Sequence, residues 1–262
     1  MGKKEQRIKL LRNELKRQKS LRISDIEEMF QISESTARRM CSELETSGEA
    51  IRTFGGIQYM PEDFFPNLQA YSFDALSEQH VEEKKKIGMY ASTLVCPGDT
   101  IFLSGGTTVF QFACCLAALL EEKKISNIDI MTNSIANAEI LSSSIRVILT
   151  GGEYRAKRRD TAGIVGEKSI NNARFSKAFI GVDGLDITDG LMAWDIDTAR
   201  IDYMAMRHAR EVYLLADSSK FQNKNFINYE KLLPEYTVIT DNGLPEEIQQ
   251  AAQKSHQSII VV

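Results

Sequence analysis

The sequence predicts two architectures in series: a small α+β head of short helices and a strand ribbon, then a doubly wound α/β domain on a mostly parallel sheet. Three observations predict this. Residues 5–59 carry three short helical periods and then two strand-like runs around Gly55-Gly56. From residue 100 onward an apolar strand, a small polar turn and an amphipathic helix alternate, the pattern of a parallel sheet covered by helices. The charge also changes between the two regions. Residues 1–60 hold 12 lysines and arginines against 9 acids, while residues 61–262 hold 20 against 27. A basic head on an acidic body puts any phosphate contact in the head.

Residues 5–19 form the first helix, with Ile8, Leu11 and Leu15 inward. Ser24-Asp25-Ile26-Glu27 has the form of a capping box and opens a short helix with Ile26, Met29 and Phe30 inward. Gln31 and Ile32 make a tight turn into Ser33, an N-cap whose hydroxyl takes a first-turn N–H. Ala37, Met40, Cys41 and Leu44 then recur at helical spacing as one buried stripe. The other side carries Ser35, Arg38, Arg39 and Ser42, flanked by Glu34 and Glu43. Two short helices joined by a tight turn make a helix-turn-helix. Gly48 is the expected C-cap, and Ala50 to Tyr59 reads as two strands forming a wing, with Arg52 at a nucleic-acid backbone. Arginine forks onto guanine edges, and hydroxyls with helix N–H groups take phosphates. The expected partner is double-stranded operator DNA, touched by Ser33, Ser35, Thr36, Arg38, Arg39, Ser42 and Arg52. The bland alternative is a solvated helix face.

This winged helix-turn-helix ends at residue 60. Residues 61–76 read as a linker that packs, because Phe64, Phe65, Tyr71 and Phe73 want burial. Residues 77–95 read as one helix with a Glu/Lys surface and Ile87, Tyr90, Ala91 and Leu94 inward. Residues 77–262 are then the α/β domain. Its expected strands are 100–103, 128–131, 146–149, 177–181, 211–215, 236–240 and 258–262, with helices at 108–121, 135–142, 195–210 and 245–254.

In such sheets ligands bind at the carboxyl ends of strands, where this chain places its small polar turns. Ser104, Gly105, Gly106, Thr107 and Thr108 form a Gly-rich turn that opens a helix, so backbone N–H groups and hydroxyls can cradle an anion. Asn133 can orient a sugar hydroxyl, Asp183 supplies an acceptor and Lys220 a cation, while Gly152 permits a close approach. Each has a structural alternative: an ordinary strand-to-helix turn, an Asx turn at Asn133, a tight bend at Gly151-Gly152, a surface lysine paired with Asp217. Trp194 is most simply a packing residue. The run Arg155 to Arg159 reads as a solvated basic loop or as a source of a further cation, as does Arg200.

A hydrophobic fraction of 43% in 262 residues suits a soluble protein with a sizeable core. No apolar run reaches membrane-spanning length, and the N-terminus is amphipathic rather than a signal peptide. Cys41, Cys96, Cys114 and Cys115 show no C-x-x-C and read as buried reduced thiols of a cytoplasmic protein. His80, His208 and His256 have no metal spacing, so neither metal nor cofactor is expected.

The stretch SESTARRMCSELETSGEAIRTFGGI resembles the N-terminal signature of DeoR-type bacterial transcription regulators, VSE-TIRRDL followed by a Leu-Glu pair, a Gly and an R-x-x-GGA wing. The double Arg, Gly48 and Gly55-Gly56 match, while Ala37 replaces Ile and Met40-Cys41 replaces Asp-Leu. Family motifs recur later as SGGTT at 104–108, TNS at 132–134, Gly151-Gly152, Phe179 to Gly184 in F-x-G-x-D-G form, and ADSSKF at 216–221. The resemblance implies a fold similar to sugar-phosphate isomerases and a repressor of sugar utilisation that senses a phosphorylated metabolite. It departs where Ser104 and Gly105 replace Asp and Ser, and where Thr198 and Asp202 replace the Glu and Lys of E-A-x-x-K. Three polar pocket positions have lost or reversed charge, which implies a different effector or a vestigial pocket. A sugar-phosphate isomerase or deaminase with a DNA-binding head is the rival, but it lacks a carboxylate at 104. No catalytic residue is assigned. A single small head binds weakly, so a homo-oligomer reading repeated half-sites is expected.

Overall fold

The computed structural model describes residues 3–18, 20–46, 50–53, 56–59, 71–222, 225 and 227–262. The chain divides into two compact units, Met1–Ala70 and Tyr71–Val262.

The first unit contains α1 (Lys3–Gln18), β1 (Ser20–Arg22), α2 (Ile23–Phe30), α3 (Glu34–Thr46), β2 (Ala50–Thr53) and β3 (Gly56–Tyr59). Leu11, Leu15, Ile26, Ala37, Met40, Cys41, Leu44 and Ile57 form one buried cluster. The apolar stripe of α3 thus packs on α1 and α2, as its spacing requires. The wing has three strands in the order β1-β3-β2. The third, β1, was not expected, because three residues are too few to show alternation. Gly56 makes its pairing possible, since a Cβ there would lie 2.3 Å from the Leu21 carbonyl oxygen.

Two local expectations are corrected. Helix α2 starts at Ile23, and its box is closed by Asp25, whose carboxylate accepts from the Arg22 N–H at 3.1 Å. Met29 is exposed, because the stripe that packs on the core runs through Ile23, Ile26 and Phe30 at i, i+3 and i+7. Gln31 adopts φ 48° at the C-cap and turns the chain into α3.

The second unit runs α4 (Phe73–Ser77), α5 (Val81–Ser92), β4 (Thr100–Leu103), α6 (Thr107–Glu121), β5 (Asp129–Thr132), α7 (Ile135–Leu141), β6 (Val147–Leu149), β7 (Glu153–Arg155), β8 (Asp160–Ala162), α8 (Ile164–Asn171), β9 (Phe175–Gly181), β10 (Gly184–Asp186), β11 (Gly190–Ala193), α9 (Ile196–Arg207), β12 (Ala209–Leu215), β13 (Ile227–Glu230), β14 (Tyr236–Thr240), α10 (Glu246–Lys254) and β15 (Ser258–Val261). Seven strands form a parallel sheet in the order β15-β14-β12-β9-β4-β5-β6. Alternate strand residues feed two cores. Ile101, Leu103 and Phe179 pack with Ile87, Phe112 and Leu116 of α5 and α6. Phe102, Ala178 and Ile180 pack with Ile170 of α8 and Ile201 and Ala205 of α9. This is the doubly wound domain expected, with two additions: the β7–β8 hairpin and a small antiparallel sheet in the order β10-β11-β13.

Of the expected linker, residues 61–70 lie outside the described residues. Tyr71 and Phe73 belong to the second unit, where the Phe73 N–H donates to the Lys157 carbonyl at 2.8 Å and its ring meets Phe110 edge-on. The single helix expected over 77–95 is two helices broken at His80, which adopts φ 51°. Lys84, expected in water, is buried and donates to the carbonyls of Leu76 and Gln79 at 2.7 and 2.6 Å, fixing that break. All four cysteines are free thiols, but Cys41 alone is buried; Cys96 is exposed.

Candidate functional site

Helix α3 buries Ala37, Met40, Cys41 and Leu44, which turns Ser35, Arg38 and Arg39 outward and leaves Ser42 half-buried. Ser33 sits at the N-cap position, its carbonyl accepting from Thr36 and Ala37 N–H at 2.9 and 3.0 Å. Its hydroxyl does not bond a backbone N–H as expected. It lies 3.0 Å from the Ser35 and 3.1 Å from the Thr36 hydroxyl, because these side chains converge on the first turn. Arg38 reaches back along the helix to Glu34, with Nε 2.8 Å from Oε1. The Ser42 hydroxyl donates to the Arg38 carbonyl at 3.1 Å. The Arg52 side chain, Gly48 and Gly55 lie outside the described residues; Arg52 itself is in β2.

In the second unit, the strand order reverses between β4 and β9, which lie side by side. Their carboxyl ends flank an open cleft, the place where ligands bind in sheets of this kind. Gly105, Gly106, Thr107, Thr108, Asn133, Asp183 and Lys220 all line it. Gly106, at φ 100°, caps α6 without a side-chain hydrogen bond, leaving first-turn N–H groups facing the cleft turn. Lys220 has no ion-pair partner among the described residues, so the expected alternative of a pair with Asp217 does not hold. Asn133 donates through Nδ2 to the Thr161 carbonyl at 3.2 Å and leaves its buried Oδ1 without a partner.

Ser104 and Gly152 do not line the cleft. The Ser104 hydroxyl accepts from the Gly181 N–H at 2.8 Å and ties β4 to β9. Gly152, at φ 119°, lets β7 approach β8: a Cβ there would lie 2.2 Å from the Ala162 carbonyl oxygen. Arg200 is exposed and takes no part. Trp194 also stays out of the wall; its backbone N–H donates to Asp183 Oδ2 at 3.2 Å.

The wall includes Tyr71, Arg158, Asp160, Thr198, Asp202 and Tyr229 as well. The solvated-loop reading of Arg155 to Arg159 is overturned for Arg155 and Arg158, because the β7–β8 hairpin folds Arg158 onto the cleft wall and Arg155 onto Asp160 and Asp195. Arg155 donates Nε and NH2 to Asp160 at 2.8 and 2.7 Å, and NH1 to Asp195 at 2.8 Å. Arg158, 12% exposed, lies 3.6 Å from each of Asp160, Asp183 and Asp195. That is ion-pairing range but too long for a hydrogen bond, and its Nε has no partner. The Arg158 guanidinium stacks on the Tyr71 ring at 3.9 Å. Arg159, half-exposed, pairs instead with Glu139.

These neighbours set the protonation of the cleft. Burial opposes the Asp195 charge, but Arg158 and Arg155 outweigh it and hold its carboxyl below the usual range. Burial pushes Asp202 well above the usual range, Asp183 adds to this, and Arg158 opposes it. These neighbours favour the protonated form of Asp202 over its carboxylate. Burial also pushes the Tyr71 phenol up to about 12. Among the described residues no group of three or more His, Cys, Asp or Glu is placed to hold a metal, and no helix is long and apolar enough to cross a membrane.

Two family models match the chain: a DeoR-like helix-turn-helix domain over residues 7–62 and a DeoR C terminal sensor domain over residues 79–242. The chain belongs to the DeoR family. This DeoR-family protein is a DNA-binding transcriptional regulator that couples a helix-turn-helix to a sensor domain. It is similar to the lactose phosphotransferase system repressor of Lactococcus lactis subsp. lactis, 32% identical over 260 residues covering 95% of this chain and 96% of the relative. It is also similar to the HTH-type transcriptional regulator IolR of Bacillus subtilis (strain 168), 29% identical over 230 residues and 87% of each chain. Among solved structures, a ribose 5-phosphate isomerase A from Methanocaldococcus jannaschii matches 55% of each chain at 19% identity, with a TM-score of 0.42.

Proposed function

We propose that this regulator is a cytoplasmic repressor of a sugar or sugar-derivative utilisation operon, released from its operator by a small phosphorylated metabolite. The observation that carries the proposal is the cleft at the switch point of the sheet. There a helix N-terminus at Gly106 to Thr108 without a side-chain cap and a Lys220 without an ion-pair partner among the described residues share one wall surface. That pair suits a phosphate, because N–H dipoles and an ammonium both favour an anion. DNA contact falls to the outward face of α3, with Arg38 and Arg39 on base edges, Ser33, Ser35, Thr36 and Ser42 on the backbone, and Arg52 on the wing. The sugar phosphotransferase repressor among its relatives supports the sugar link.

The cleft senses its ligand and does not transform it. Asp160 and Asp183 face arginines, and position 104 carries a serine in place of a carboxylate. The carboxylate that such chemistry would use at position 104 is thereby missing, and Asp160 and Asp183 are held in ion pairs. The protein acts as a homo-oligomer, since one small head offers few base contacts and repeated half-sites multiply them. Coupling between effector and DNA is on the order of 1–3 kcal/mol per site. Gel shifts with the full-length protein and promoter duplex, with and without sugar phosphates, test this: a specific shift relieved by a phosphorylated sugar is expected, and a shift indifferent to every sugar phosphate contradicts it.

A further inference from the structure

The cleft is not a simple cationic pocket. Arg158 on its wall and Arg155 beside it are both ion-paired within the protein, Arg155 with Asp160 and Asp195 and Arg158 with Asp160, Asp183 and Asp195. Two groups are left over. Lys220 has no ion-pair partner among the described residues. Asp202, 3% exposed on the cleft wall, receives no hydrogen bond from them. Three other polar atoms of the same wall, the Tyr229 hydroxyl, the Oδ1 of Asn133 and the Nε of Arg158, are buried and without hydrogen-bond partners among the described residues. Unsatisfied buried polar atoms cost stability, and a cluster of them in one cleft marks where a ligand's own polar groups go.

We infer that the effector is zwitterionic: a phosphorylated sugar with a free primary amine, its phosphate held at Gly106 to Thr108 and Lys220 and its ammonium on the Asp202 carboxylate. The inference rests on the effector role proposed above and specifies its ligand class. Phosphate answers the Lys220 end of the cleft, whereas a buried carboxyl that receives no hydrogen bond from the described residues is answered by a cationic donor better than by a neutral hydroxyl. An ammonium has three donors and no acceptor, and the oxygens of Asp202 and Tyr229 can receive them. Asn133 Oδ1 is left to accept from a sugar hydroxyl. Asp202 is faced by Asp183, Asp160, Asp195 and Arg158, and by Tyr229 from β13. Burial, and then the three aspartates, favour its neutral form, and an incoming ammonium favours its ionised form.

Titration calorimetry on the full-length protein tests this. The probes are glucosamine 6-phosphate and galactosamine 6-phosphate, their N-acetyl forms, the parent hexose 6-phosphates and inorganic phosphate. At least one amino sugar phosphate is expected to bind about tenfold or more tighter than both its hexose and N-acetyl counterparts. Asp202→Asn is expected to narrow that gap to about twofold. A hexose phosphate that binds as tightly as its amine counterpart in the wild-type protein overturns the inference, as does a gap left intact in Asp202→Asn. Failure of every phosphate in the panel to bind overturns the effector role itself, which the hexose phosphates and inorganic phosphate probe independently of the amine.

Discussion

The guanidinium of Arg158 stacks 3.9 Å from the centre of the Tyr71 ring, at the wall of the cleft. The ring comes from the start of the second unit and the cation from the β7–β8 hairpin, so the stack joins two distant stretches of chain. Three aspartates hold the same guanidinium at 3.6 Å. Tyr71→Phe keeps the stacked face and is expected to leave stability within about 0.5 kcal/mol of wild type, whereas Tyr71→Ala costs about 1–2 kcal/mol. Calorimetric unfolding of the two variants measures the difference; equal losses would place the effect in the phenol hydroxyl.

Gly152 supports the hairpin and not the ligand. Its φ of 119° and the 2.2 Å approach of a Cβ to the Ala162 carbonyl oxygen make any side chain intolerable there. Gly152→Ala is expected to lower stability by more than about 2 kcal/mol. Denaturant unfolding checks this, and a variant as stable as wild type would remove Gly152 from that role.

Asp202 makes stability depend on pH with a definite sign. Burial holds its carboxyl well above the usual carboxylate range, so between the unfolded and the folded pKa the native chain binds a proton that the unfolded chain has lost. This contribution therefore weakens stability as pH rises through that window. Asp202→Asn removes the titration. It is expected to be more stable than wild type at pH 7.5, with the advantage shrinking as pH falls toward about 4. Thermal melts of both proteins across that range, without ligand, decide it; an advantage that stays constant with pH contradicts the assignment of a buried neutral acid.

On α3, Glu34 holds Arg38 at 2.6 Å between two exposed side chains. Such a pair contributes only about 0–0.5 kcal/mol to stability, while Glu34 sets a negative charge beside the face proposed to meet phosphates. Glu34→Gln is expected to tighten operator binding about two- to threefold with unchanged folding. Arg38→Ala and Arg39→Ala are each expected to weaken it by about 1–3 kcal/mol. Fluorescence anisotropy with promoter duplex measures all three, and a weaker Glu34→Gln variant would mean that the glutamate positions Arg38 for contact.

The order of elements was legible because buried faces repeat at fixed periods: Ala37, Met40, Cys41 and Leu44 on α3, and the alternation of Ile101, Phe102 and Leu103 on β4. Small polar turns at strand ends likewise marked Gly105 to Thr108, Asn133, Asp183 and Lys220, which the structure gathers in one cleft. The hairpin between β6 and α8 was not legible. Its strands have three residues each, too short to show a period. Read locally, Arg155 and Arg158 belong to a charged run and look solvated; only the fold brings Asp183 and Asp195 to them. Tyr71 was recognised as wanting burial, but nothing local says against what. Ser104 and Gly152 failed as cleft residues because a glycine or serine at a strand end serves close packing of backbones as readily as it serves a ligand.

The most direct measurement is anisotropy of the full-length protein on the duplex upstream of its own gene, at several salt concentrations, with and without amino sugar phosphates. Salt-sensitive, specific binding that is lost in the Arg38→Ala, Arg39→Ala double variant and weakened several-fold by one of these ligands is the predicted result. Binding that persists undiminished in the double variant and ignores every sugar phosphate would contradict both the DNA-reading face and the sensing cleft.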